Sequence, residues 1–207
     1  MAPSPRELRL IGLDLDNTLI DYGPAYVELA ERMGLPDEIR TRDAIRGLLR
    51  PSSDDDEEWQ RFQTLLYTDG LEQAVVSPGA RDLLVTCANR GIPVVIISHK
   101  TARGPERFGA RDLRAPAVDW LVREGVVDKL VPRASVHFLP TMTEKVATIR
   151  RLSPSAFVDD LDEVLGHPDF PRHVLAIHYV AGGRWSELAA SGVQSGFEDV
   201  TAWVRSC

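Results

Sequence analysis

Four short apolar runs, separated by longer stretches with helical spacing, constrain the fold of this chain more than any other feature. The runs are rich in β-branched residues, and two of them end directly in acidic residues. Strands of nearly continuous apolar character that alternate with helices are typical of a parallel sheet covered on both faces. The pattern therefore predicts an α/β fold with a doubly wound, Rossmann-like parallel sheet. The predicted strands span residues 8–13, 93–97, 156–158 and 174–180.

Two helices are predicted within this alternation, at residues 79–89 and 143–152. The first is bounded by glycines, which commonly mark helix ends. Thr143 is the predicted N-cap of the second, since a threonine side chain can accept a bond from a free backbone N–H. The tail at residues 185–207 carries two further short helical patterns.

Residues 22–75 do not follow the alternation, because they contain helical patterns and no convincing strand. The helical patterns lie at residues 25–33, 37–49 and 55–66. We therefore predict a small all-helical cap at residues 22–75, inserted after the first strand. The α/β core is predicted to comprise residues 1–21 and 76–207.

Charge and composition exclude several classes of protein. The 207 residues carry a formal net charge of −7, which argues against a nucleic-acid-binding surface. No apolar run of about 18 residues is present, so no membrane span is expected. The first nine residues lack the apolar core of a signal peptide, and Cys87 and Cys207 form no disulfide framework. A cytoplasmic protein with neither a nucleic-acid nor a membrane partner is expected.

Polar side chains follow three of the predicted strands at the point where each strand ends. Asp14 and Asp16 follow the first, residues 98–101 (SHKT) the second, and residues 159–163 (DDLDE) the third. Ligands in open α/β sheets bind beyond the carboxyl ends of the strands, so these clusters are expected to converge. Carboxylates this close repel one another unless a cation lies among them. Oxygen ligands without nearby histidine or cysteine favour Mg²⁺.

In order along the chain, these positions resemble the four motifs of the haloacid dehalogenase (HAD) superfamily of phosphohydrolases. Residues 14–19 (DLDNTL) resemble the DxDxT signature of the first motif. Ser98 resembles the second motif, Lys145 the third, and residues 157–160 (FVDD) the fourth. The helical segment lies between the first and second motifs, where the family places its small C1-type cap.

The resemblance implies a role for each acid. Asp14 would be the nucleophile that attacks phosphorus and forms an aspartyl-phosphate. Asp16 would protonate the leaving alcohol and then activate water. Family members that transfer halide or pump ions lack this second aspartate, so Asp16 favours a phosphatase or phosphomutase. Mg²⁺ would be held by Asp14, by Asp16 through its backbone carbonyl, and by Asp159 or Asp160.

The same resemblance implies how the phosphate is bound. Ser98 would donate a hydrogen bond to a phosphate oxygen, and Lys145 would place a positive charge between Asp14 and the phosphate. The chain has only three lysines, and Lys100 competes with Lys145 for this role. His99 is a further candidate for substrate contact, with a local hydrogen bond as the alternative.

The sequence departs from the family pattern in the fourth motif, where a third acid often follows the acidic pair. Val164 occupies that position, while Asp162 lies nearer to the pair. Asp159, Asp160 and Asp162 therefore all remain candidate metal ligands. Asp159 is the first choice and Asp160 the second. Thr18, in the first motif, is expected to bond locally and hold its loop.

Together these features predict a Mg²⁺-dependent phosphomonoester hydrolase that acts on a small phosphorylated metabolite. A sugar phosphate or a nucleoside monophosphate is the expected substrate. A phosphomutase of the same fold is one alternative. A catalytically silent phosphate-binding or regulatory module is another, and a processor of nucleic-acid phosphate ends is disfavoured by the negative charge.

Overall fold

A computed structural model of the protein describes residues 8–50, 56–188 and 192–207. The described chain divides into two compact units. The first comprises the described residues of Met1–Ile20, Val76–Lys100 and Val122–Cys207, and the second comprises those of Asp21–Val75 and Thr101–Leu121. The second unit thus includes a segment after the second predicted strand that sequence analysis placed in the core.

The strands and helices alternate along most of the chain. In chain order the strands are β1 (Ile11–Leu13), β2 (Ile20–Asp21), β3 (Val75–Val76), β4 (Val94–His99), β5 (Val136–Leu139), β6 (Ala156–Asp159), β7 (Leu175–Tyr179), β8 (Ser186–Leu188) and β9 (Gly192–Ser195). The helices are α1 (Gly23–Arg32), α2 (Arg42–Leu49), α3 (Glu57–Leu66), α4 (Ala80–Asn89), α5 (Ala115–Arg123), α6 (Met142–Leu152), α7 (Asp162–Leu165) and α8 (Phe197–Ser206). None of the described helices is long and apolar enough to cross a membrane.

A seven-stranded sheet forms the centre of the first unit. Its strand order is β5-β4-β1-β6-β7-β9-β8, and β2 pairs with β3 separately. Six strands run parallel, and β8 is antiparallel to β9 at one edge. The predicted parallel α/β sheet is therefore confirmed. The first strand lies between β4 and β6, so the polar residues that follow these three strands emerge side by side.

Close packing between β1 and β6 requires a glycine at position 12. Gly12 is paired in register with Phe157 on the neighbouring strand. A Cβ atom at position 12 would lie 2.5 Å from Cδ2 of Phe157, which is a severe clash. The Phe157 ring is fully buried in a core cluster that includes Val95, Ile97 and Ile149.

Three details of the predicted secondary structure were wrong. The helix that contains Lys145 is capped by Thr141 and not by Thr143, since Thr141 Oγ1 accepts a hydrogen bond from the Glu144 amide at 3.2 Å. The helix predicted at 37–49 begins only after Thr41, whose side chain caps α2. The tail predicted as two helical patterns forms β8, β9 and one helix, because β9 extends the parallel sheet beside β7.

The second unit contains α1, α2 and α3. An aromatic cluster joins its first and third helices, with Phe62 stacked on Tyr26 at 6.0 Å between ring centroids. Its segment Thr101–Leu121 is fixed by long-range contacts, including a bond from Trp120 Nε1 to the carbonyl of Ala74 at 3.2 Å. The helix predicted at 55–66 is observed at Glu57–Leu66, and Asp55 lies outside the described residues.

Candidate active site

The candidate site lies at the carboxyl ends of β1, β4 and β6, entirely within the first unit. Asp14 directly follows β1, and its backbone amide donates to the Val158 carbonyl at 2.8 Å. This bond continues the pairing of the two strands and fixes the Asp14 backbone next to Asp159. Ser98 lies near the end of β4.

A buried lysine joins two of the acids. Lys145 Nζ lies 2.5 Å from Asp14 Oδ1 and 2.7 Å from Asp159 Oδ2. Lys145 is in the first turn of α6, which begins directly after the cap residue Thr141, whose Oγ1 accepts from the Glu144 amide at 3.2 Å and donates to Glu144 Oε2 at 2.8 Å. Its ammonium also lies 5.7 Å from the centroid of the Phe157 ring.

The cluster contains more acidic groups than basic ones. Burial raises the pKa of Asp14 well above its ordinary value; Lys145 opposes this effect, while Asp159 and Asp160 add to it. Burial lowers the pKa of Lys145, but the carboxylates of Asp14 and Asp159 outweigh burial and raise it, so the lysine is charged. One ammonium offsets only one of the three carboxylates. An additional cation would therefore stabilise the ionised cluster.

The donor atoms fit a hard divalent cation. Carboxylate oxygens of Asp14, Asp159 and Asp160 all lie within 4.8 Å of one another. Oxygen donors of this kind, with water completing the coordination, are the ligands that Mg²⁺ prefers. Asp162 is directed elsewhere, since its Oδ1 lies 2.9 Å from Nδ1 of His178. The structure thus groups the first two candidates of the fourth motif and leaves the third apart.

Asp16 forms an ion pair with a different lysine, Lys100. Lys100 Nζ lies 2.9 Å from Asp16 Oδ2 and 3.0 Å from Asp16 Oδ1. Ser98 Oγ lies 3.5 Å from Asp16 Oδ2, a long hydrogen bond. The Asp16 carboxylate is not part of the three-acid group, and metal binding through the Asp16 backbone carbonyl stays a prediction.

The two remaining predicted residues, His99 and Thr18, differ in exposure, since His99 is exposed and Thr18 is buried. The exposed His99 places Nε2 3.1 Å from the Pro140 carbonyl oxygen. The Thr18 side chain does not bond locally as predicted, since Thr18 Oγ1 donates to Asp160 Oδ1 at 3.4 Å. Thr18 thereby links the first and fourth motifs across 142 residues of sequence.

The pairing of Lys100 with Asp16 is the feature that sequence reasoning did not find. Reasoning from position weighed Lys100 only as a substitute for Lys145. The available signal was the rarity of lysine, because Lys100 and Lys145 are both buried in the site. Buried lysines are rare unless a charge or hydrogen-bond partner lies nearby.

Comparison with solved structures agrees with this architecture. A predicted phosphatase from Clostridium acetobutylicum superimposes with a TM-score of 0.62 at 12% identity, covering 97% of this chain and 99% of the other. A putative haloacid dehalogenase-like hydrolase from Bacteroides fragilis gives 0.59 at 16% identity, with coverage of 94% and 100%. A HAD family hydrolase from Deinococcus radiodurans, crystallised with bound phosphate and sodium, gives 0.58 at 15%, with 96% of both chains covered.

No protein-family model matches the chain, and no curated protein matches it in sequence. The chain has the fold of the HAD-superfamily hydrolases, and the resemblance seen in its motifs is confirmed at the level of the fold. The acids and lysines described above occupy the end of the sheet where α/β proteins bind their ligands.

Proposed function

We propose that this protein is a Mg²⁺-dependent phosphatase that hydrolyses a small phosphorylated metabolite through an aspartyl-phosphate on Asp14. The observation that carries the proposal is the Lys145 ammonium, held between the Asp14 and Asp159 carboxylates beside Asp160. A cluster with excess negative charge suits a phosphate ester only when cations are also present. The structural neighbours described as hydrolases and phosphatases support the same reaction class.

In the first chemical step, an Asp14 oxygen attacks phosphorus and the bond from phosphorus to the leaving alcohol breaks. Asp16 gives its proton to that departing oxygen. Lys145 holds the nucleophilic carboxylate in place and offsets part of the charge between Asp14 and the phosphate. A bound Mg²⁺, held by Asp14, Asp159 and Asp160, would neutralise the charge that develops on the phosphoryl oxygens.

In the second step, Asp16 accepts a proton from water, whose oxygen attacks the phosphorus of the aspartyl-phosphate. The bond between phosphorus and Asp14 breaks, which releases inorganic phosphate and restores both carboxyl groups. Ser98 is the proposed hydrogen-bond donor to a phosphate oxygen, and His99 stays a candidate for substrate contact at the rim. The covalent intermediate on Asp14 replaces one difficult displacement with two easier ones.

We propose a sugar phosphate or a nucleoside monophosphate as the substrate class, with no nucleic-acid partner. The negative charge of the chain disfavours long polyanionic substrates. We also propose action in the cytoplasm, because both cysteines are free, as is usual in a reducing compartment.

The proposal is tested by phosphate release from 4-nitrophenyl phosphate and from a panel of sugar and nucleoside phosphates. Release should require Mg²⁺, stop with chelator, and fall to background in Asp14→Asn. Asp162→Asn is the matched control, because Asp162 pairs with His178 outside the cluster and its variant should keep full activity. Acid quenching during turnover should trap one phosphoryl group on the peptide that contains Asp14.

Two results would contradict the proposal. Release that persists in Asp14→Asn would show that the nucleophile is another residue. A folded protein that binds Mg²⁺ but releases no phosphate from any compound would favour a phosphomutase or a silent phosphate-binding module instead.

A further inference from the structure

Lys100 is the buried charged residue that the proposed reaction does not yet use. Its side chain is 2% exposed, whereas the side chain of its partner Asp16 is 13% exposed. The lysine therefore lies deeper in the protein than the carboxylate it contacts. Its backbone is fixed as well, because the Lys100 amide donates to the Leu139 carbonyl at 2.9 Å.

The contact between the two side chains has a particular geometry. The ammonium lies within 3.0 Å of both Asp16 oxygens, so it constrains the plane of the carboxylate as well as its position. A lysine ammonium can only donate hydrogen bonds. When Asp16 carries a proton, its O–H cannot be directed at Lys100, and the proton must point away from the lysine.

We propose that Lys100 is a positioning residue that orients Asp16 for proton transfer to the leaving alcohol. The inference rests on the proposed function, in which Asp16 is the general acid of the first step. The proton passes from the Asp16 carboxyl group to the departing ester oxygen, and Lys100 keeps all of its protons throughout. In the proposed reaction, Lys145 positions the nucleophile Asp14, and Lys100 positions the acid Asp16.

Leaving-group dependence tests this role directly. A nitrophenolate ion leaves without much help from an acid, whereas an alkoxide needs protonation as it departs. Loss of a general acid typically lowers the rate by about 10²–10⁴-fold. Asp16 also activates water in the second step, which both substrates share, so the first step is measured alone, as the single-turnover rate of leaving-group release. Lys100→Met should therefore lower that rate for an alkyl phosphate by about 10²-fold or more, and for 4-nitrophenyl phosphate only a few-fold.

Lys100→Arg retains a donor-only cation and should recover part of the lost alkyl phosphatase activity. Lys129→Met is the matched control, because Lys129 is the third lysine of the chain and is exposed; it should hydrolyse both substrates like the wild type. In this first step, Asp16→Asn should show the same leaving-group selectivity as Lys100→Met. The double variant, Asp16→Asn with Lys100→Met, should be as active as Asp16→Asn alone, because the effects of two residues that act as one unit do not add.

Several outcomes would overturn the inference. Equal losses of the first-step rate on both substrates would mean that Lys100 has a general structural role. A higher KM on both substrates with unchanged kcat would mean that Lys100 binds the substrate phosphate. If Lys100→Met does not fold, the same comparison is made with Lys100→Gln, which keeps a donor without the charge. A wild-type protein that releases no phosphate would overturn the proposed function itself, which separates that failure from failure of the inference alone.

Discussion

The thiol of Cys87 is fully buried in α4, and burial raises its pKa to about 11, although Arg90 opposes the shift. At pH 8 the thiolate fraction should be about 100-fold lower than for an unperturbed thiol with a pKa of 9.0. We expect iodoacetamide at pH 8 to label Cys207 quickly and Cys87 only after unfolding, as read by peptide mass spectrometry. The variant Cys207→Ser should show no fast labelling, and rapid modification of Cys87 in it would contradict the burial.

The same pKa shift makes stability depend on pH. The unfolded chain releases the Cys87 proton near pH 9, whereas the folded protein holds it until about pH 11. This contribution is fully present below pH 9 and is lost as the pH rises through 11. Denaturant titrations should therefore show a loss of stability between pH 8.5 and 10.5 that is smaller in Cys87→Ala, by up to about 2 kcal/mol. Equal losses in both proteins would show that other groups cause the change.

At the residue scale, the polar positions after β1, β4 and β6 could be placed together from sequence, because parallel strands end at one edge. The pairing of Lys145 with Asp14 across 131 residues agrees with that reasoning. The pairing of Lys100 with Asp16 could not be predicted from the sequence, because Lys100 and Lys145 both lie near the same strand ends. Which lysine serves which acid depends on side-chain packing that no local pattern records.

At the scale of single elements, the capping of α6 offers a direct comparison of two exposed threonines. Thr141 accepts from the Glu144 amide at the helix start, whereas Thr143 lies within the first turn. Thr141→Ala should lower the free energy of unfolding by about 1 kcal/mol, since alanine cannot accept the amide bond. Thr143→Ala should change it by less than about 0.5 kcal/mol. Urea denaturation of the two variants measures the difference, and equal effects would contradict the assigned cap.

The signal for this cap was present in the sequence. Residues 141–144 (TMTE) follow the capping-box pattern, in which a threonine precedes a glutamate by three positions.

The tail was harder to predict. Residues Gly192–Ser195 become a strand because β7 offers an unpaired edge, and that partner lies more than ten residues earlier in the chain. Short strands set by such pairing have little intrinsic pattern.

At the scale of the whole molecule, the sheet class was predictable and the strand order was not. Near-continuous apolar runs report burial on both faces, but they do not say which strand lies beside which. The membership of Thr101–Leu121 in the second unit likewise depends on contacts distant in sequence, such as the ion pair of Arg111 with Asp69. The predicted boundaries of the cap, at residues 22–75, therefore stay a prediction.

A cation at the acidic cluster should stabilise the folded protein as a whole. Without a cation, three carboxylates and one ammonium leave excess negative charge in a mostly buried site. A ligand at 100 times its Kd that binds only the folded state adds about 2.7 kcal/mol. For a chain of this length, each kcal/mol raises Tm by about 2–4 °C. Saturating Mg²⁺ should therefore raise Tm by about 5–10 °C relative to chelator.

Asparagine substitutions at two nearby aspartates test whether the rise in Tm comes from Mg²⁺ bound at the acidic cluster. Asp160→Asn removes one ligand of the cluster, so its Tm in chelator should equal or exceed that of the wild type, because carboxylate repulsion is relieved. Its response to Mg²⁺ should be largely lost. Asp162→Asn changes an acid only two positions away that pairs with His178, and its response should match the wild type. Differential scanning calorimetry with and without Mg²⁺ measures all three proteins. An equal Mg²⁺ response in wild type and Asp160→Asn would place the cation outside the cluster, and the proposed mechanism would then lose its metal site.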